Sequence, residues 1–139
     1  MAEISERLRR IVDGLPLVTG MRVLEIGGAP GTAAREVAKR IAPGQIVVLD
    51  RSTKGIAQVE SSCRSEIDAG LMRIQLGSIE KYVPNPNEKP FDLIFANRVG
   101  VLDGRHPKQE AAALNAIRTA ATSDARFFLD GVDVTERIS

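Results

Sequence analysis

Val23-Leu24-Glu25-Ile26-Gly27-Gly28-Ala29-Pro30-Gly31-Thr32 is the stretch that decides how this chain is read. An apolar run carrying one carboxylate enters a turn with almost no side chains, and the turn opens onto a helix. Small residues at such a turn let backbone N–H groups and the helix N-terminus approach a ligand closely. The spacing is not the dinucleotide pattern G-x-G-x-x-G, because Ala29 and Pro30 interrupt it, and the Lys-Ser/Thr pair of a P-loop is missing. Glu25 stands two residues before the first glycine, where it would repel a pyrophosphate but suit a ligand with a cationic amine. A glycine-rich turn alone is common in doubly wound proteins. Glu25, Gly27, Gly31 and Asp50 together, each at an expected strand end, point to ligand binding rather than to packing.

On the amino side of this stretch, Ile4, Leu8, Ile11, Val12 and Leu15 form one stripe at helical spacing that stops near Gly14 and Pro16. On the carboxyl side, Ala34, Val37, Ala38 and Ile41 predict a helix ended by Pro43-Gly44. Ile46-Val47-Val48-Leu49 predicts a second strand stopping at Asp50. Ile56, Val59, Cys63 and Ile67 predict one longer helix with Gly70 as its stop, and Cys63 reads as a core residue on that stripe. Residues 71–76 predict a third strand, residues 83–87 a loop, and residues 91–96 a fourth strand. Pro107 suits a helix start, with Leu114, Ile117 and Ala121 as its apolar face, and residues 125–129 predict a fifth strand. The strands are continuous apolar runs, which requires cover on both faces. Alternating strands and helices with right-handed crossovers then predict an α/β, doubly wound, mostly parallel five-stranded sheet of Rossmann-like order 3-2-1-4-5, with helices on both faces. The whole of residues 1–139 reads as a single domain.

Composition narrows the function classes. Nineteen Lys and Arg against 18 Asp and Glu leave a net charge of +1, so the basic excess of a protein that grips a long nucleic acid is missing. The single cysteine can form neither an internal disulfide nor a metal site by itself, and no metal is expected. No apolar run approaches membrane-spanning length and the first ten residues are too charged for a signal peptide, so a cytoplasmic location is the expectation.

In residues 21–129 the chain resembles the class I S-adenosylmethionine-dependent methyltransferases, whose first motif is an acidic residue followed by a Gly-rich turn. That family's second strand ends in an acidic residue that holds the ribose hydroxyls, and Asp50 stands there, in Val47-Val48-Leu49-Asp50-Arg51-Ser52. Its fourth-strand motif resembles Phe91-Asp92-Leu93-Ile94-Phe95-Ala96-Asn97-Arg98-Val99. The resemblance implies S-adenosyl-L-methionine as cofactor. It implies that Gly27, Gly28, Ala29 and Gly31 line the methionine end, with Glu25 helping to anchor the amine through water or backbone. Asp50 would bind the ribose, Arg51, Ser52, Ser78 and Ile79 would flank the adenine, and Asn97 and Arg98 would face the methyl-transfer side. His106, the only histidine, lies in the loop after strand four, where a general base could act, though the same position suits a helix start. With Asn97, it is a candidate for a catalytic role.

The chain departs from the family's pattern in several places. Ala29 replaces the second glycine of the turn, and Asn97 stands where a ribose-directed RNA methyltransferase would carry Asp. The Asn-Pro-Pro-Tyr-type signature of amino-directed nucleic-acid enzymes is also missing. The expected acceptor is therefore a small molecule rather than a nucleic acid. The alternative is a non-catalytic cofactor-binding module working in a complex. The family's sheet usually ends in a further antiparallel strand pair; residues 130–139 are too few for a full hairpin, although one short strand or a folded-back tail could fit. The apolar edge at residues 125–129 is thus expected to be covered by a second copy in a homodimer, or by another partner, through Phe127 or Phe128.

Overall fold

The computed structural model describes residues 3–139; Met1 and Ala2, the start of the charged opening stretch, lie outside the described residues. Each apolar run becomes a strand of one sheet in the order β3-β2-β1-β4-β5-β6. Strand β1 (Arg22–Ile26) is central and pairs in parallel with β2 (Gln45–Asp50) and β4 (Phe91–Ala96). Strand β3 (Met72–Leu76) flanks β2, and β5 (Ala121–Leu129) flanks β4. The register aligns Ile26 with Leu49 and Ala96, and Ala96 with Leu129, so these strands end at one level. That shared end is where a doubly wound sheet exposes its loops to ligands.

Residues alternate between two apolar layers. Leu24, Ile26, Val47, Leu49, Ile94 and Phe127 pack on α5 (Pro107–Ala120) through Ala113, Ile117 and Ala120. Val23, Ile46, Val48, Leu93, Phe95 and Phe128 face the other way. They meet α1 (Glu6–Asp13), α2 (Thr32–Ile41) and α3 (Thr53–Ser62) through Val12, Val37, Ile41 and Val59. Burial on both faces is the reason the strands read as unbroken apolar runs. Among the described residues no helix is long and apolar enough to cross a membrane.

Four features differ from the sequence expectation. The helix expected from Ile56 to Ile67 is two, α3 and the short α4 (Arg64–Asp68), joined at Cys63. Its Sγ packs on the start of α2, 3.6 Å from the Gly31 carbonyl oxygen, while Ser62 Oγ donates to Pro30 O at 3.1 Å. This tertiary anchoring bends a segment whose stripe is continuous. Ala121 belongs to β5, not to the face of α5; the helix runs straight into the strand, whose register slips between the Phe91–Ala121 and Leu93–Arg126 pairs.

The other two concern the edge. A sixth strand, β6 (Val132–Asp133), folds back antiparallel on β5, and a 3₁₀ turn over Thr135–Ile138 follows it. Val134 N donates to Phe127 O at 2.8 Å and Phe127 N to Thr135 Oγ1 at 3.0 Å, so the tail satisfies the edge backbone itself. Arg118 holds the tail by donating to Ile138 O at 3.1 Å. Phe127 and Phe128 are buried within the chain, at 0% and 7% exposure. The expected intermolecular contact through these rings therefore has no aromatic surface to cover.

Candidate functional site

Where β1 ends, Gly27 N donates to Leu49 O at 2.7 Å, and the chain turns over the strand ends toward α2. A side chain at Gly28 would collide with what lies beneath: its Cβ would sit 2.7 Å from Val48 Cγ1 and 2.8 Å from Glu25 Oε1. At Gly31 the backbone has φ +104°, and a Cβ would come within 2.8 Å of Cys63 Sγ. The turn is thus stripped of side chains because Glu25 lies under one end of it and the α3–α4 joint under the other.

Asp50 ties this turn to the next one. Its Oδ2 accepts from Ala29 N at 3.1 Å and its Oδ1 from Ser52 N at 2.9 Å. The Ser52 hydroxyl is spent on capping α3, accepting from Gly55 N at 3.0 Å. A carboxylate has about four lone-pair sites, so Asp50 retains acceptor capacity beyond these two bonds.

Two clefts open at the carboxyl end of the sheet. The first, of about 250 Å³, runs past Gly27, Asp50, Arg51, Ser78, Ile79 and Arg98. The second, of about 270 Å³, is bordered by Glu25, Gly28, Ala29 and Asn97, with Ser5 and Arg7 from the start of α1. Both touch Gly27 and Arg98, so the turn is the saddle between them.

The second cleft has an unusual floor. Glu25 is only 3% exposed and its Oε1 has no hydrogen-bond partner among the described residues. Burial first, and the neighbouring Asp50 carboxylate second, push its pKa up to about 8. The Asn97 amide is buried as well, with neither Oδ1 nor Nδ2 partnered. Leaving a buried polar atom unpaired costs about 1–3 kcal/mol. Two such side chains bordering one cleft make it the candidate ligand site. The pair suits an elongated molecule with a cation at one end, lying across the saddle so that hydroxyls at the other end reach Asp50.

The structure gathers Glu25, Gly27, Gly28, Ala29, Asp50, Arg51, Ser78, Ile79, Asn97 and Arg98 around these clefts. Gly31 and Ser52 stand behind the lining and shape it. His106 heads α5, exposed, and borders neither cleft. Sequence reasoning missed Arg7, in a helix legible only as an amphipathic stripe. Asp130, in the tail, also joins these residues: its Oδ1 accepts from Arg98 N at 2.8 Å. Among the described residues no group of three or more His, Cys, Asp or Glu side chains is placed to hold a metal ion.

Comparison with known proteins adds three findings. A family model described as a methyltransferase domain matches residues 23–123. No curated protein sequence matches the chain. Solved structures share the fold. The YcgJ protein of Bacillus subtilis superposes with a TM-score of 0.70 at 21% identity, over 88% of this chain and 49% of that one. Phosphoethanolamine N-methyltransferase 1 of Haemonchus contortus, in complex with phosphoethanolamine and S-adenosylhomocysteine, gives 0.73 at 19% identity, over 88% of this chain and 24% of that one. The [4+2]-cyclase SpnF gives 0.69 at 20% identity, over 86% and 42%. The chain therefore spans about half or less of the length of these matching structures.

Proposed function

Since the chain belongs to the methyltransferase domain family, matched over residues 23–123, we propose that it binds S-adenosylmethionine across the saddle at Gly27 and transfers its methyl group to a small-molecule acceptor. The observation that carries this reading is the buried Glu25 carboxyl, with one oxygen unpartnered, bordering a cleft beneath a turn without side chains. These residues fit the cofactor. Glu25 offers an anion to the α-ammonium group once that charge is present to offset its burial. Asn97 offers both a donor and an acceptor beside it. Asp50 keeps lone pairs for vicinal ribose hydroxyls, and Arg51, Ser78 and Ile79 wall the first cleft where the adenine would lie.

Bound there, the cofactor would supply an activated methyl group, which the acceptor's lone pair could displace from a sulfur that leaves as the neutral thioether. The protein's own work is alignment and exclusion of water, which needs neither a triad nor a metal cluster. Asn97 and Arg98 face the side from which the acceptor approaches. His106 stands outside both clefts, so in this reading the acceptor's proton leaves to water.

Calorimetry tests the reading: S-adenosylhomocysteine should bind, with no comparable heat for NAD or ATP. Heat for NAD alone would sink it. The second reading, a cofactor-binding module without transfer activity, has one observation in its favour: the fold is shared with a [4+2]-cyclase, so it is not tied to methyl transfer. Labelled cofactor incubated with a metabolite mixture, then with cellular RNA, separates the two. Transfer into the metabolite pool supports the enzyme; binding without transfer to either pool supports the module.

A further inference from the structure

The cofactor reading leaves a third cleft unused. It measures about 290 Å³ and opens at the same end of the sheet, between the segment after β4 and the end of β5. Arg98, Val99, Leu102, Asp103, Arg105 and Asp130 wall it. It shares Arg98, Val99 and Gly100 with the first cleft and Arg98 with the second, so Arg98 alone borders all three.

The two arginines and two aspartates of this cleft balance in number but are unevenly paired. Asp103 is answered by Arg105, whose Nε donates to its Oδ2 at 2.7 Å. Asp130 accepts from the Arg98 backbone N–H and lies 3.6 Å from Arg7 Nη2. The Arg98 guanidinium has no hydrogen bond or ion pair among the described residues. Both carboxylates are thus engaged, and one cation is left over.

The backbone makes the same point. Arg98 has φ +56° and its hydrogen-bond partner Asp130 has φ +50°. A non-glycine residue in the left-handed region is strained, and glycine would make this turn without that strain. The arginine is therefore present at the expense of stability, and what it brings is an exposed side chain at the junction of three clefts.

We propose that the third cleft holds the methyl acceptor, and that the acceptor is a small oxyanion, a carboxylate or a phosphate monoester, gripped by the Arg98 guanidinium. The inference rests on the methyltransferase reading above. A guanidinium presents parallel N–H donors that match such a group two bonds at a time. The volume lies near the lower end of small-molecule sites. The wall shared through Val99 and Gly100 sets the acceptor beside the cofactor clefts rather than behind them.

The test uses the full chain saturated with S-adenosylhomocysteine and titrated with benzoate or with inorganic phosphate. At least one of them is expected to bind at millimolar concentration; benzoate alone narrows the acceptor to carboxylates, phosphate alone to phosphate monoesters. Arg98→Gln should weaken that binding about ten- to a hundredfold, with S-adenosylhomocysteine affinity falling far less. Arg98→Gly relieves the left-handed backbone, so its melting temperature should rise while the anion is lost to the same extent. The proposal is overturned if neither anion binds the wild-type complex, if both variants bind it as well as wild type does, or if S-adenosylhomocysteine and the anion are lost together. Failure of S-adenosylhomocysteine to bind wild type in the first place is a separate result, and it sinks the methyltransferase reading itself.

Discussion

Glu88 and Glu25 are both shut away from water, one at each end of the sheet, and the chain treats them in opposite ways. At the amino end, Glu88 Oε1 pairs with Arg22 Nη2 at 2.9 Å and with Arg73, while its Oε2 accepts from Tyr82 OH at 3.2 Å. Arg22 in turn donates to Lys89 O and lies 4.9 Å over the Phe91 ring. Burial works to raise the Glu88 pKa, but Arg73 and Arg22 with the hydrogen bonds outweigh it and hold the carboxyl below its usual range. At the carboxyl end, Glu25 has no cation beside it among the described residues, has Asp50 for a neighbour, and its pKa is pushed up to about 8. A buried carboxylate with all its partners supplied by the fold is structural, and it clamps the loop over residues 83–87 to the strand starts. One denied partners by the fold is a candidate for binding something that arrives from outside.

The largest effect that could break this contrast is at Glu88. Glu88→Ala leaves Arg22 and Arg73 without their shared anion in a mostly buried setting, which should cost about 3 kcal/mol of stability. Chemical denaturation would register that loss, while S-adenosylhomocysteine affinity should barely move. A folded variant of unchanged stability that no longer binds cofactor would invert the assignment.

Glu25→Gln should act in the reverse sense, and its effect depends on pH. The unfolded chain ionises Glu25 near 4.5 and the folded chain only near 8, so wild type loses stability progressively as pH rises between those values, reaching a constant deficit above pH 8. Every tenfold difference in proton affinity between the two states is worth about 1.4 kcal/mol. The variant should match wild type near pH 4 and exceed it by about 2–4 kcal/mol at pH 8, read from denaturation midpoints at each pH. The same variant should bind cofactor more weakly. Calorimetry near pH 6.5 in buffers of different ionisation enthalpy should show wild type releasing close to one proton on cofactor binding, and Glu25→Gln releasing almost none. Proton release that survives the substitution would mean that another group supplies the charge.

Asp50→Asn should give the smallest structural effect and sharpen the contrast most. Losing the carboxylate bonds to Ala29 N and Ser52 N should cost about 1 kcal/mol of stability. Cofactor binding should weaken by about 1.5–3 kcal/mol if the ribose hydroxyls rest on this residue. Because the Asp50 charge helps to keep Glu25 protonated, its removal should also lower the Glu25 pKa, moving the fall in stability to lower pH. An unshifted profile would assign the whole Glu25 effect to burial.

The amino-acid sequence by itself determined the order of the five parallel strands and the place of the candidate site. Runs such as Ile46-Val47-Val48-Leu49 can be stable only when covered on both faces, and that dictates a parallel sheet with its ligand end marked by Glu25, Gly27 and Asp50. Local chemistry was enough there, because strand burial and glycine-rich turns depend on a few consecutive residues. Tertiary structure alone decided the rest. No periodicity betrays a strand as short as Val132–Asp133, and the burial of Phe127 and Phe128 follows from a tail that pairs only once β5 exists to receive it. The break at Cys63 depends on its contact with Gly31, 32 residues earlier. The same holds for the charges. Nothing in the residue type separates Glu25 from Glu88, since a carboxyl's ionisation is set by the groups that folding brings within a few ångströms, and those come from strands and loops far away in the chain. Arg7, Arg98 and Asp130 meet for the same reason: a salt bridge and a backbone hydrogen bond join residues more than a hundred and about thirty positions apart, and only the completed sheet brings its first helix and last turn together.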